Sequence, residues 1–203
     1  MVNLSNMDNK ILILLAVKEE LGQENIAKLA EQHDVAITGV GKLRAYEATL
    51  KALQQKEYKT VINVGTSGSF RHNIGTILAP SKVVQGDIYS ESIYATHPEL
   101  LDTGDPDISI VSSDDFIGSD TPEQTRRLLE PHDCMDMESY AMVRAIKLHS
   151  ELNGTQTPKI HILKIISDAC DGTVEDWNSR IVRLRPHLFE ALCNLIDSIN
   201  QDK

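Results

Sequence analysis

Short, unbroken apolar runs alternate along this chain with stretches whose apolar residues return every three or four positions. Residues 11–17 are apolar throughout and lack a helical period, which predicts a buried strand. Residues 19–32 carry one apolar face and predict a helix. Residues 35–38 predict a second strand, ended by Gly39, Val40 and Gly41. Residues 42–55 space Leu43, Tyr46, Ala48, Leu50 and Leu53 among polar side chains, a helical pattern. A third strand is predicted over 60–64, closed by a glycine-rich loop, GTSGS, over 65–69. Residues 76–84 read as a strand interrupted at Pro80, and 85–107 as a polar, turn-rich region with no element. Strands follow at 108–112, 133–137 (DCMDM) and 159–166, with helical segments at 121–130 and 138–149 between them. A long amphipathic helix over 174–200 places Trp177, Ile181, Leu184, Leu188 and Leu192 on its apolar side.

Strand and helix in alternation predict an α/β fold: a mostly parallel sheet covered on both faces, here as one domain over 1–203. Ligands of such sheets gather at the C-terminal ends of the strands. Those ends are rich in acids and glycines and poor in arginine. KIISDACDG, from Lys164, is the sharpest case, because an apolar run ends on Asp168 and carboxylates are rarely buried without a partner. Two readings stand: a helix N-cap, which Ser167 and Asp168 both suit, or a functional acid at a strand's edge.

Composition narrows the partners. With 41 % hydrophobic residues in 203 the chain is globular, and a net charge of -10 argues against nucleic acid or an anionic membrane. Cys134, Cys170 and Cys193 are odd in number, and no CxxC occurs, so neither a disulfide framework nor a zinc site is indicated. The 11–17 run is too short to span a bilayer and leads into Lys18-Glu19-Glu20, not a cleavage site; a cytoplasmic protein is expected.

Each motif has a plain alternative. TGVGK at 38–42 lacks P-loop spacing, and Arg44 stands where a dinucleotide fingerprint needs a glycine, so it reads as a tight turn. GTSGS offers glycines, hydroxyls and backbone N–H groups to a sugar or anion, or is an ordinary turn. Asp136-Met137-Glu138 is either a helix N-cap or a carboxylate pair for a ribose diol, whose two hydroxyls one carboxylate can accept. Lys18-Glu19-Glu20 is normally a solvated helix start. On a strand, His132 and Cys134 share a face opposite Asp133, but no further ligand accompanies them, so metal is discounted. No cofactor motif is present.

Taken in order, "ILILLAVKEEL", "AITGVGKLRAYEATLKAL", "VINVGTSGSF", "SSDDFIGS", "DMESYAM" and "KIISDACDG" resemble the nucleoside phosphorylase and nucleosidase superfamily, most nearly its 5′-methylthioadenosine/S-adenosylhomocysteine nucleosidases. The resemblance covers most of the chain. It implies a three-layer αβα fold with a mixed, mostly parallel central sheet, and a homodimer acting on a purine nucleoside without a cofactor. It places Glu20 where the nucleosidases activate water, and Asp168, beside Ser167, where they protonate the purine at N7. Glu138 takes the ribose-holding position, with Asp136 next to it and Met137 against the sugar. Phe116 and Ile117 fall at the base, Thr66, Ser67 and Gly68 near the sugar and water, and Val40 near the 5′ substituent. Lys164 stands where bacterial members usually carry arginine, near the water. Residues 85–107 are short and lack the family's usual histidine-aspartate segment.

The implied chemistry is N-glycoside hydrolysis through an oxocarbenium-like sugar. Protonation lets the purine leave neutral, and a positioned acid contributes about 10²–10⁴-fold. Ile165 and Ile166 are expected to surround Asp168, with Asp171 nearby, and to favour its protonated form. Superfamily phosphorylases carry arginines for phosphate at two places that read Lys18-Glu19-Glu20 and Asn63-Val64 here, which favours water. Three alternatives remain at this level: a phosphorylase, a non-catalytic nucleoside-binding protein, and a receiver-like α/β module. Against the receiver, Val64-Gly65-Thr66 occupies the place of its phospho-acceptor aspartate.

Overall fold

The computed structural model describes residues 10–87, 97–171 and 174–201, the last without the side chains of 174–176. In chain order the elements are β1 (Leu12–Leu15), α1 (Gln23–Ala30), β2 (Asp34–Ile37), α2 (Lys42–Leu53), β3 (Thr60–Gly68), β4 (Ile77–Leu78), β5 (Pro80–Gln85), β6 (Glu99–Leu100), β7 (Asp105–Ser112), α3 (Glu123–Leu129), β8 (Cys134–Asp136), α4 (Ser139–Asn153), β9 (Lys159–Asp168) and α5 (Val174–Gln201).

The strands form one mixed, mostly parallel sheet. Its two faces are apolar because side chains alternate along each strand. Leu12 and Leu14 face a core shared with Ala45 and Leu53 of α2 and with Met142 and Ile146 of α4. Ile11, Ile13 and Leu15 point the other way, into a core with Leu29 of α1 and with Leu188, Leu192 and Ile196 of α5. Helices therefore cover both faces, as expected. The receiver-like alternative falls on topology: β3–β8, β4–β9 and β5–β6 run antiparallel, unlike an all-parallel receiver sheet.

One feature of the sheet creates a cleft. β9 follows one edge of β3 in parallel from Thr60 to Gly68. The other edge is taken by β1 at Val61–Asn63 and by β8 only at Gly68. Between those contacts the sheet splits, and the backbone around Thr66 is free to meet side chains.

Several boundaries correct the sequence reading. GTSGS is not a loop: its first four residues continue β3, because backbone pairing with β9 holds them extended whatever their polarity. β9 likewise runs on through Ser167 and Asp168, so Asp168 ends a strand. The helix expected from residue 19 starts at Gln23; Gly22, at φ 78, and a turn from Lys18 come first. The region read as featureless contains β6 and the start of β7, paired with β5; residues 88–96 lie outside the described residues. His132 precedes β8, so it does not share a strand face with Cys134. No helix among the described residues is long and apolar enough to cross a membrane.

Candidate active site

A cavity of about 550 Å³ opens where the sheet splits, at the C-terminal ends of β1, β3, β8 and β9. Its wall includes Glu20, Val40, Thr66, Ser67, Gly68, Phe116, Ile117, Asp136, Met137, Glu138, Ser167 and Asp168. All but one of the site residues singled out from sequence thus come together. Lys164 is the exception: it lies beneath the cavity. The volume is in the range of small-molecule sites.

Glu20 reaches the cavity through the turn after β1. Gly22 N–H donates to Lys18 C=O at 2.7 Å, which folds the chain back, and Glu20 is only 3 % exposed while Lys18 and Glu19 face solvent. Its carboxylate accepts from the N–H groups of Ala16 (3.2 Å) and Val17 (3.3 Å) and from Thr66 N–H (2.7 Å) and Oγ1 (3.0 Å). It thereby caps the strand edge that the split leaves unpaired. Burial pushes the Glu20 carboxyl up; Lys164 and the Thr66 and Val17 donors pull back against it.

The glycines of GTSGS make room for acids. A Cβ on Gly65 would stand 2.5 Å from Glu20 Oε1, and one on Gly68 would stand 2.8 Å from Asp168 Oδ1. Both glycines serve close approach, not a positive φ.

Asp168 is 5 % exposed. Ser167 Oγ donates to its Oδ2 at 2.8 Å, and Cys170 N–H donates to its Oδ1 at 3.0 Å, with Cys170 held at φ 58. The expected apolar surround is corrected: Ile165 and Ile166 pack into the cores on opposite faces of the sheet, and Asp171 is exposed.

Glu138 and Asp136 sit in different surroundings. Asp136 serves the start of α4 from two residues before its N-cap position, Glu138: it accepts from the N–H groups of Glu138 and Ser139 and from the hydroxyls of Ser112 and Ser139. Its remaining capacity goes to Lys164 Nζ, at 3.0 Å. Burial alone would raise its pKa, but Lys164 and these donors hold the carboxyl below its usual range. Asp136 is thus occupied by protein, although part of it reaches the cavity wall. Glu138 is different. Among the described residues it accepts Gly41 N–H (3.0 Å) and its neighbour Met137 N–H (3.3 Å) and no other donor. Burial, then the charge of Asp136, pushes it up to about 8. The Gly41 turn, at φ 96, is anchored by Lys42 N–H donating to Asp114 at 2.7 Å and by the Lys42–Asp87 ion pair.

Beneath the acids, Lys164 has partners that the sequence did not indicate. Lys164, 2 % exposed, donates to Asn63 Oδ1 at 3.2 Å, and Asn63 Nδ2 donates to Ser139 Oγ at 2.7 Å. Lys164 was expected beside the water; its contacts are Asp136 and Asn63. The charges of Asp136, Glu20 and Glu138 outweigh burial and keep it an ammonium. Trp177, read only as an apolar helix position, also lines the cavity, and its indole N–H donates to Thr66 Oγ1 at 3.1 Å. No group of side chains among the described residues is arranged to hold a metal ion.

This architecture has solved counterparts. A futalosine hydrolase of Helicobacter pylori superposes with a TM-score of 0.72 at 17 % identity, covering 95 % of this chain and 99 % of that one. The chain has the nucleosidase fold. A 5′-methylthioadenosine/S-adenosylhomocysteine nucleosidase of Neisseria meningitidis, solved with methylthio-immucillin-A, gives 0.72 at 16 % identity over 94 % and 99 % of the two chains. An Arabidopsis thaliana 5′-methylthioadenosine nucleosidase in apo form gives 0.74 at 17 % identity over 95 % and 96 %. No protein-family model and no curated protein matches the sequence. On the nucleosidase fold, the split of the sheet beside β3 supplies the cavity, and the acids at the ends of β1, β8 and β9 supply its polar groups.

Proposed function

We propose that this protein is a purine nucleosidase that hydrolyses the N-glycosidic bond of 5′-methylthioadenosine and/or S-adenosylhomocysteine and releases adenine. The observation that carries the reading is the charge of the cavity wall. Glu20, Glu138 and Asp168 line it, and no lysine or arginine does among the described residues. Such a wall repels phosphate and suits water and a sugar cation. A phosphorylase would need cations there, so hydrolysis is the better fit.

In this reading Glu138 accepts the ribose hydroxyls, Met137 packs on the sugar, Phe116 and Ile117 meet the base, and Val40 lies toward the 5′ group. The C1′–N9 bond breaks, its electron pair goes to the base, and Asp168 gives a proton to N7. Water adds to C1′ and loses its proton to Glu20. A raised pKa at Glu20 makes it a stronger base while four protein donors hold it in place. The products are adenine and the free sugar.

The same reading includes a homodimer. Exposed Ile37 ends β2, Val40 lies in the β2–α2 connection and Leu43 in the first turn of α2, and Val40 lines the cavity. Light scattering that finds monomer alone at micromolar concentration would remove it. The reaction is tested by purine release from a nucleoside panel with and without phosphate. Release of adenine from 5′-methylthioadenosine in phosphate-free buffer is expected. Strict phosphate dependence would establish a phosphorylase instead, and tight binding with no release would leave a nucleoside-binding protein.

A further inference from the structure

We propose that Trp177 is a positioning residue for Glu20, acting through the Thr66 hydroxyl. The proposal rests on the nucleosidase reading for what Glu20 does, and on geometry for the relay itself.

An indole N–H can only donate. Trp177 Nε1 donates to Thr66 Oγ1 at 3.1 Å, and Thr66 Oγ1 lies 3.0 Å from Glu20 Oε1. A hydroxyl has one proton. With the indole proton aimed at its oxygen, the Thr66 proton goes to the acceptor within reach, which is Glu20. The direction of the chain is therefore fixed: Trp177 to Thr66 to Glu20. Thr66 N–H donates to the same oxygen at 2.7 Å, so one residue fills Oε1 with two donors. Both favour the ionised carboxylate, the form that accepts a proton from water. Without the indole, the hydroxyl is free to rotate and to accept a hydrogen bond from a protonated Glu20.

The other charges around Glu20 do not substitute for this. From β9, Lys164 acts on it through space while bonded to Asp136 and Asn63. From the β8–α4 junction, Glu138 brings a like charge, and the repulsion raises its own pKa. On α5, Arg180 donates to Ser167 C=O at 3.5 Å and Arg185 to Glu19 C=O at 2.7 Å. Neither of these two bonds goes to the carboxylate. The chain contains a single tryptophan, so its indole N–H is one assignable probe.

Two measurements test the relay. In ¹⁵N spectra across pH, the indole signal of the wild-type protein should titrate with Glu20, and Glu20→Gln should abolish that step. Thr66→Val should uncouple the two. These spectra need neither turnover nor a change at Trp177, so they decide the relay even if no nucleoside is hydrolysed. In kinetics with 5′-methylthioadenosine, Trp177→Phe should lower kcat about 10-fold at neutral pH, the size of the Thr66–Glu20 hydrogen bond that the indole orients, with little change in KM. The acidic limb of the kcat profile should move to higher pH. Thr66→Val should do the same, and the double variant should lose little more. An indole signal that titrates identically in Glu20→Gln would overturn the proposal, as would an unshifted pH profile in Trp177→Phe.

Discussion

Lys164 Nζ lies 3.0 Å from Asp136 Oδ2, and their side chains are 3 and 2 % exposed. This pair is the electrostatic floor of the cavity, because the same ammonium offsets Glu20 and Glu138 above it. Removing one member leaves a buried charge alone, at a cost of about 3–5 kcal/mol. Lys164→Met is therefore expected to destabilise by that order, read from denaturant unfolding at neutral pH. A loss below about 1 kcal/mol would show that the pair contributes little.

Glu138 costs the folded protein stability as pH rises. Its folded pKa, about 8, stands above the ordinary value of 4.5. Between those values the folded protein holds a proton that the unfolded chain has lost, so stability from this group is full below pH 4.5 and declines as pH rises through 8. Glu138→Gln should remove that decline and leave the free protein more stable at pH 8, while turnover falls sharply. Under the proposed function a ribose diol donates to this carboxylate, so nucleoside binding below pH 8 should also release a proton. Calorimetry in two buffers of different ionisation heat measures the release; equal apparent heats would deny it.

Gly65 tests the packing of an acid against a strand. A methyl group there would meet Glu20 Oε1 at 2.5 Å, and Glu20 is held by four donors. Gly65→Ala should displace the carboxylate and lower kcat by about tenfold or more, since small misplacements of catalytic groups cost this much. The melting temperature should fall only slightly, because the clash is with a side-chain end and not with backbone. Unchanged kcat would show that Glu20 has room to move without consequence.

The layers of the fold were legible because apolar runs and helical periods record burial, and burial sets this architecture. The ends of β3 and β9 were not. Thr66, Ser67 and Asp168 are polar yet extended, since backbone pairing between the two strands holds them, and hydropathy is blind to backbone pairing. Glu20, Glu138 and Asp168 stood out as acids at the ends of apolar runs. Lys164 was placed by family resemblance alone, and its pairing was not legible, because it sits inside such a run and its partner Asp136 comes from another strand. Trp177 was hidden for a similar reason: one polar atom on an apolar ring gives no periodic signal, and Thr66 is far away in sequence.

Glu20 and Asp168 line one cavity from the ends of different strands, and the account gives them different tasks in one transition state. Glu20→Gln cannot take a proton from water, and Asp168→Asn cannot give one to a purine, yet Glu138 and Phe116 remain to bind. Residues acting as a unit are not additive, so the double variant should lose far less than the product of the single losses. The deciding measurement is single-turnover adenine release by Glu20→Gln, with nucleoside binding checked calorimetrically in the same preparation. Binding should be retained and release slowed by about 10²–10⁴-fold. Retained binding with near-normal release would contradict the task given to Glu20.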